Sequence, residues 1–329
     1  AFATDIQFSP VSDPEAAAAN PDANYFVGEI PVDPQVDQPP FGTVMQQWNV
    51  AMSGTYKGSG ITWRRDSGRF YLLDQGGRMW SCTPDNPTGT WRDETWTFPN
   101  IGGSTADIPW GLGWDDDTAC FWISNIVDGN ISGGCHVLRV TPAGTWTGDS
   151  WLVGNGSNGG GGSMLWMAGM EKWIDRGYFC CAPVAPSPSV NNYVWKFEPY
   201  SKTSVGRATA GDQTSERGCA LVPYDSLYIM TTGWNANNWR KRDSAGVLLQ
   251  QVTATVYGPA DWAMYVPITI IPTDTVFVYC INSNATNTFQ KISLGMTWGQ
   301  LPSVNPHSVA PTALLTPAGA VYRVVTFTP

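Results

Sequence analysis

The sequence predicts an all-β fold assembled from a repeated four-stranded unit, and three observations carry that prediction. Gly60–Asp74, GITWRRDSGRFYLLD, recurs as Gly111–Asn125, GLGWDDDTACFWISN; the offset of 51 residues lays Gly60 on Gly111, Trp63 on Trp114, Asp66 on Asp117 and Phe70 on Phe121. The run from Arg78 to Pro84 is echoed from His136 to Pro142 and from Tyr193 to Pro199, each of strand length and closed by proline. Composition supplies the third: Trp 17, Gly 35 and Pro 25 beside only 14% charged residues. Such a mixture suits strands and tight turns rather than long helices, which draw on Lys, Glu and Ala.

Within one unit the elements follow in order. Gly60 opens an apolar first strand, the polar stretch around Asp66 turns the chain, and Phe70 starts a second strand. The proline-closed run is the third strand. GTWRDETW at Gly89–Trp96, repeated as GTWTGDSW at Gly144–Trp151, supplies the fourth. Four strands in about 50 residues describe one blade of a β-propeller. The residue starting each second strand is Phe70, Phe121, Phe179, Tyr228, Phe277 and Val321, at steps of 51, 58, 49, 49 and 44, which gives six blades.

The ends of the chain fit the same scheme. Tyr25–Ile30 and Val44–Met52 read as strands ahead of the first full unit, and Thr312–Leu315 and Ala320–Phe327 as two more behind the last. N- and C-terminal strands sharing the last blade would close the ring and remove exposed sheet edges. Residues 1–24 show no sustained alternation and read as an extended N-terminal arm, leaving 25–329 as a single propeller domain. The arm's first residues, AFATDIQFS, alternate briefly. They could add as a strand to another protomer's sheet, the expected route to self-association.

These units resemble the blades of six-bladed β-propellers of the NHL, lactonase and sialidase-like type, which often begin G-[IL]-x-[WF]-D and turn through D-x-G. The turn Asp66–Tyr71, DSGRFY, is similar to a sialidase Asp-box, except that Arg64 stands where the box has Ser or Thr. The resemblance spans nearly the whole chain at the level of fold. It implies no activity, because one fold hosts many functions.

A net charge of −9 argues against nucleic-acid partners, whose phosphates need clustered Lys and Arg. The one basic cluster, Arg240, Lys241 and Arg242 beside Asp243, reads as a solvated strand or turn. No apolar run approaches the roughly 18 residues of a membrane helix, so no membrane insertion is expected. Both a cleaved signal peptide and a trimmed initiator methionine fit a chain starting at Ala1. The sequons at Asn130, Asn155 and Asn284 would suit glycosylation of a secreted protein, though chance matches occur equally in such a chain. The cysteine count, 7, is odd and no Cys-x-x-Cys is present. Buried small hydrophobes are the expectation for these cysteines, with one or two disulfides open to an extracellular protein.

In propellers of this type the loops leading into the first strands and out of the second strands form one face, which usually carries the site. That face would collect Trp110, Trp166 and Trp262 with Asp107, Asp261, Glu216 and Arg217. Three indoles at one opening could stack on sugar rings; they could equally be packing between blades. Asp74, Asn125 and Asn282, with Asn192 and Asn235, offer hard oxygen ligands, for which Ca²⁺ is the fitting ion. Asp and Asn also dominate turns for backbone reasons. His136 and His307 are the only histidines, and neither a Ser-His-Asp set, a zinc motif nor a phosphate loop is visible. The expected function is therefore a non-enzymatic extracellular or virion-surface propeller, a structural and recognition module gripping glycan or a protein partner on its Trp-bearing face. The alternative is a carboxylate- or Ca²⁺-dependent hydrolase or lyase acting on a glycan or lactone at the channel mouth.

Overall fold

A computed structural model describes residues 38–52, 58–74, 76–97, 108–126, 135–153, 166–173, 178–184, 191–208, 212–214, 216–222, 228–233, 237–255, 258–282 and 288–301. The chain enters through β1 (Val44–Asn49) and then builds a first sheet from β2 (Gly58–Arg64), β3 (Arg69–Asp74), β4 (Arg78–Cys82) and β5 (Arg92–Thr97). A second sheet holds β6 (Ile108–Asp115), β7 (Cys120–Ile126), β8 (Cys135–Val140) and β9 (Trp146–Val153). The third contains β10 (Trp166–Trp173), β11 (Tyr178–Val184), β13 (Trp195–Glu198) and β14 (Thr203–Arg207), with β12 (Asn191–Asn192) and β15 (Gln213–Thr214) forming a separate two-stranded ribbon. The fourth is β16 (Glu216–Leu221), β17 (Tyr228–Gly233), β18 (Asn238–Asp243) and β19 (Leu248–Thr253). The last runs β20 (Pro259–Met264), β21 (Thr275–Asn282) and β22 (Thr288–Thr297), and β1 completes it beside β22.

The first strand of each sheet lies against the first strands of its neighbours, in the order β2, β6, β10, β16, β20 and back to β2. This is an all-β, propeller-like ring. Inner strands are covered on both faces, so β2, β16 and β20 are buried almost throughout, whereas the outer strands β1 and β19 are mostly exposed. Burial is continuous in the middle and gives way at the rim even though the inner strands carry polar residues such as Thr62, Glu216, Arg217 and Asp261.

The repeated residues are cross-strand partners. Trp63 pairs with Phe70 and Trp114 with Phe121, with ring centroids 4.7 and 4.9 Å apart. Aromatic pairs of this kind stabilise a hairpin beyond the area they bury. The turn between them in the first sheet is a 3₁₀ turn, Arg65–Ser67, ended by Gly68 at φ 63°.

The described residues form five four-stranded sheets, not the six counted from the sequence. Five of the six second-strand markers fall in or beside the second strands β3, β7, β11, β17 and β21, while Val321 lies outside the described residues, as do Tyr25–Ile30, Thr312–Leu315 and Ala320–Phe327. Of the strands expected in a shared sixth blade the described one, β1, runs instead antiparallel to β22 in the fifth sheet, from Val44 opposite Ile292 to Asn49 opposite Thr288. A bond from Gln290 Nε2 to Gln47 Oε1, 2.7 Å long, adds a side-chain tie. Among the described residues no helix is long and apolar enough to cross a membrane.

Candidate functional site

The axis of the ring follows from one irregularity repeated five times. In every sheet the pairing of first and second strands slips near the start of the inner strand, between Gly58 and Gly60, Pro109 and Leu112, Met167 and Gly169, Glu216 and Cys219, and Pro259 and Asp261. Aligned on these bulges, Gly60, Gly111, Gly169, Gly218 and Asp261 occupy one position. Two of these glycines donate alike to a hydroxyl across the hairpin, Gly111 to Ser124 Oγ at 2.7 Å and Gly218 to Thr232 Oγ1 at 2.8 Å.

Glycine is required here by close approach. A Cβ at Gly169 would lie 2.6 Å from Asp261 Oδ1 and 2.7 Å from the Cys219 nitrogen; one at Gly218 would lie 2.7 Å from the Asp261 Cα. The carboxyl of Asp261 takes the space that the glycines leave. It accepts backbone N–H bonds from Ile61 on β2 at 3.1 Å, from Cys219 on β16 at 3.3 Å and from its own neighbour Trp262 at 2.9 Å. One buried carboxyl thus ties three sheets together. Burial holds it well above the usual carboxylate range, with the nearby charge of Glu171 pushing the same way.

Two positions further along β10, Glu171 repeats the arrangement. Its Oε2 accepts from the Leu221 nitrogen on β16 at 2.9 Å, and its Oε1 from the Met264 nitrogen on β20 at 3.4 Å. Burial raises this carboxyl to about 8 against the two N–H bonds, which favour the charged form. Glu171 was missed by sequence reasoning. Its signal is the acid in WMAGMEKW, where the equivalent inner strands carry Thr62, Gly113, Ala220 and Ala263.

Above Asp261, at the strand starts, Arg217 and Trp110 come together from sheets two apart in the ring. The Arg217 guanidinium lies 4.9 Å from the Trp110 ring centroid, a cation–π contact. Arg217 is buried and burial lowers it to about 10, whereas Trp110 is half-buried. Glu216 next door turns to Arg242, 3.2 Å away.

The other sequence-predicted residues are placed as follows. Trp262 has no exposed surface and packs on Trp239 at 6.0 Å. Trp166 begins β10, but its side chain lies outside the described residues, as do Asp107, Asn235 and the sequon residues Asn130, Asn155 and Asn284. Asp74 is fully buried and caps the turn after β3, accepting from the nitrogens of Gly76 and Arg78 and from Trp80 Nε1 at 2.9 to 3.0 Å. Asn282 is buried, and its Nδ2 donates to Thr288 O and Gln290 Oε1, each at 3.2 Å. Asn125 lies in β7 and Asn192 in β12, their side chains outside the description. Among the described residues no group of three or more His, Cys, Asp or Glu is gathered for a metal ion. Cys82, Cys120, Cys219 and Cys280 are buried.

The basic cluster differs from its expected solvated role. Arg242 is wholly buried and donates to Asp212 at 2.6 and 3.2 Å, to Glu216 and to the Gly246 carbonyl at 3.1 Å, while Arg240 pairs with Asp212 at 3.0 Å. Alternate strand residues share a face, which puts Arg240 and Arg242 together on Asp212. A second buried pair joins Lys172 to Asp115 at 2.6 Å and to the exposed Asp117 at 2.7 Å, bracing β10 against β6.

The ring and its polar axis thus define an all-β, propeller-like protein with two carboxyls committed to backbone donors and a cation–π pair above them. No family model matches the chain, and no curated protein does. Among solved structures it is similar to Myxococcus xanthus glutaminyl cyclase, 11% identical at a TM-score of 0.49, over 77% of this chain and 97% of that one. It is also similar to a protein of unknown function from Bacteroides caccae, 11% identical at a TM-score of 0.42, over 71% and 74% of the two chains. At these levels no residue's role is carried over from either.

Proposed function

We propose that this protein is a non-enzymatic, extracellular or virion-surface recognition module, whose ligand contact is the Trp110–Arg217 pair at the mouth of the ring. The observation that carries this reading is the commitment of Asp261. Both its oxygens serve backbone N–H groups of β2, β16 and β20, so an acid at the place where a hydrolase would keep a working carboxylate serves instead to hold the ring. The pair above it combines a half-buried indole face with a guanidinium 4.9 Å away. That chemistry favours a sugar ring bearing a carboxylate, or an acidic side chain of a protein partner. Self-association through residues 1–24 belongs to the same proposal.

The test is a fluorescence titration of the full chain with acidic and neutral oligosaccharides, beside Trp110→Ala and Arg217→Gln. Saturable binding of the acidic series, lost in both variants while their melting stays within a few degrees of the parent, is the expected result. Binding of neutral and acidic sugars alike, or binding indifferent to Trp110→Ala, would sink the assignment. Sedimentation with and without residues 1–24 tests the arm.

One observation favours the alternative of a carboxylate-dependent glycan hydrolase or lyase. Glu171, raised to about 8 by burial, would hold a proton near neutrality as a general acid does, a role that requires it to leave the Leu221 and Met264 N–H groups it accepts from. Turnover of a glycan or lactone that disappears in Glu171→Gln would establish it and displace the recognition reading.

A further inference from the structure

We infer that Lys291 is a reactive amine, placed to form an imine with an aldehyde or ketone that carries an apolar or aromatic group. It stands where the last sheet meets the first, apart from the Trp110–Arg217 mouth. Its neighbour Tyr265 follows the end of the inner strand β20, whereas Trp110 and Arg217 stand near the starts of theirs.

The register of β22 sets Lys291 opposite Tyr279 on β21 and opposite Gln46 on β1. Its Nζ lies 4.2 Å from the centre of the Phe277 ring, which shares a strand face with Tyr279 two positions on. Tyr279 packs on Phe70 of the first sheet with centroids 4.4 Å apart, and its hydroxyl donates to the Pro84 carbonyl at 3.3 Å. Tyr265 joins this wall, 5.8 Å from Tyr279 and 4.9 Å from Trp63.

Other lysines give their ammonium groups to oxygen. Lys172 bonds to Asp115 and Asp117, Lys202 pairs with Asp149 at 3.6 Å, and Lys241 reaches the Leu294 carbonyl at 3.5 Å. Lys291 is half-buried, and among the described residues its contact is the Phe277 ring face rather than an oxygen. Burial pushes its amine below the usual lysine range, against the opposing charge of Asp85. That enlarges the neutral fraction, which is the nucleophile. Burial also holds the Tyr265 and Tyr279 phenols up, so they keep their protons, while Asp85 and Asp274 are exposed beside them.

The neutral amine attacks the carbonyl carbon, forming a C–N bond as the π pair moves to oxygen. That oxygen departs as water with the two amine protons, leaving C=N and consuming neither oxidant nor reductant. The protonated imine is a cation, and the Phe277 face and the Asp85 charge already favour a cation at this nitrogen. Rings on one side of it favour an apolar or aromatic substituent on the carbonyl compound.

The experiment treats the full chain with benzaldehyde and sodium cyanoborohydride, which traps an imine as a stable amine, and maps the adducts by peptide mass spectrometry. Lys291 should be labelled several-fold faster than the exposed Lys202, and its rate should level off at a lower pH. Labelling of Lys291 no faster than Lys202, or with the same pH profile, would overturn the inference. Repeating the reaction with acetaldehyde tests the ligand class: the preference for Lys291 should shrink, and an undiminished preference would overturn the assignment of an apolar or aromatic group. In Lys291→Arg, with circular dichroism and melting to check the fold, the fast adduct should vanish and labelling of Lys202 should stay as in the parent. The labelling pattern of the parent decides the matter even if that variant does not fold. Nothing here touches Trp110, Arg217, Glu171 or residues 1–24, so failure is separable from failure of the ligand, hydrolase and arm readings.

Discussion

Replacing Glu171 by Gln should flatten the dependence of stability on pH in a calculable way. The carboxyl stands on the inner strand β10 and accepts the Leu221 and Met264 N–H groups, and burial raises it from 4.5 to about 8. A carboxyl raised on folding keeps its proton longer in the folded chain than in the unfolded one. Its stabilising contribution is therefore complete below about 4.5 and is lost as pH climbs through about 8. Within that interval the loss runs at about 1.4 kcal/mol per pH unit, so the whole interval amounts to about 5 kcal/mol at most. Gln imitates the protonated carboxyl in shape and charge and should sit within about 1 kcal/mol of the parent at pH 5. By pH 8 it should be the more stable of the two by several kcal/mol. Urea unfolding followed by tryptophan fluorescence at pH 5, 6, 7 and 8 measures this. Asp261, held high by its own burial, leaves a residual slope in the variant. A parent whose stability rises or stays level over this range, or a variant with the parent's slope, would refute the reasoning.

Three further outcomes follow from the same packing. Gly169→Ala forces a Cβ to 2.6 Å from Asp261 Oδ1 and 2.7 Å from a backbone nitrogen; it should cost about 2–3 kcal/mol or prevent folding, read by chemical denaturation. Trp262→Ala empties a site with no exposed surface and should cost about 3–5 kcal/mol. A Trp262→Ala protein melting like the parent would show that the indole is not core. Arg242→Ala strips Glu216 and Asp212 of their shared cation and should cost about 3–5 kcal/mol, most of it recovered in Arg242→Ala/Glu216→Gln if the penalty is the buried charge.

Much of the local architecture was legible in the chain because its causes are local. Trp63 with Phe70, and Trp114 with Phe121, are neighbours across short hairpins, so the same contact recurs at the same spacing and shows as a repeat. The all-β class followed from those hairpins and from turn composition. The site residues were legible only as types. Trp110, Arg217 and Asp261 were picked for standing at the starts of inner strands, and the structure places them there, but whether a side chain at such a position faces solvent or fills the axis is set by the opposite sheets.

Tertiary structure decided what depends on distant partners. Among the described residues the fifth sheet is completed by β1, whose choice of β22 as partner spans most of the chain and leaves no local trace. Asp261 looked like a ligand residue, and its role as a tie between sheets emerges only beside the glycines of β10 and β16. Trp262 looked like its counterpart Trp110, yet aligned on the bulges it lies two positions further along its strand, where it is buried in the core against Trp239. Arg242 read as a surface charge until the fold brought Asp212 and Glu216 to it. By itself the sequence determined strands, hairpins and their aromatic pairs, because those contacts lie within a few residues of each other. The count of sheets among the described residues and the filling of the ring's axis were decided in three dimensions, where residues more than 200 positions apart share hydrogen bonds.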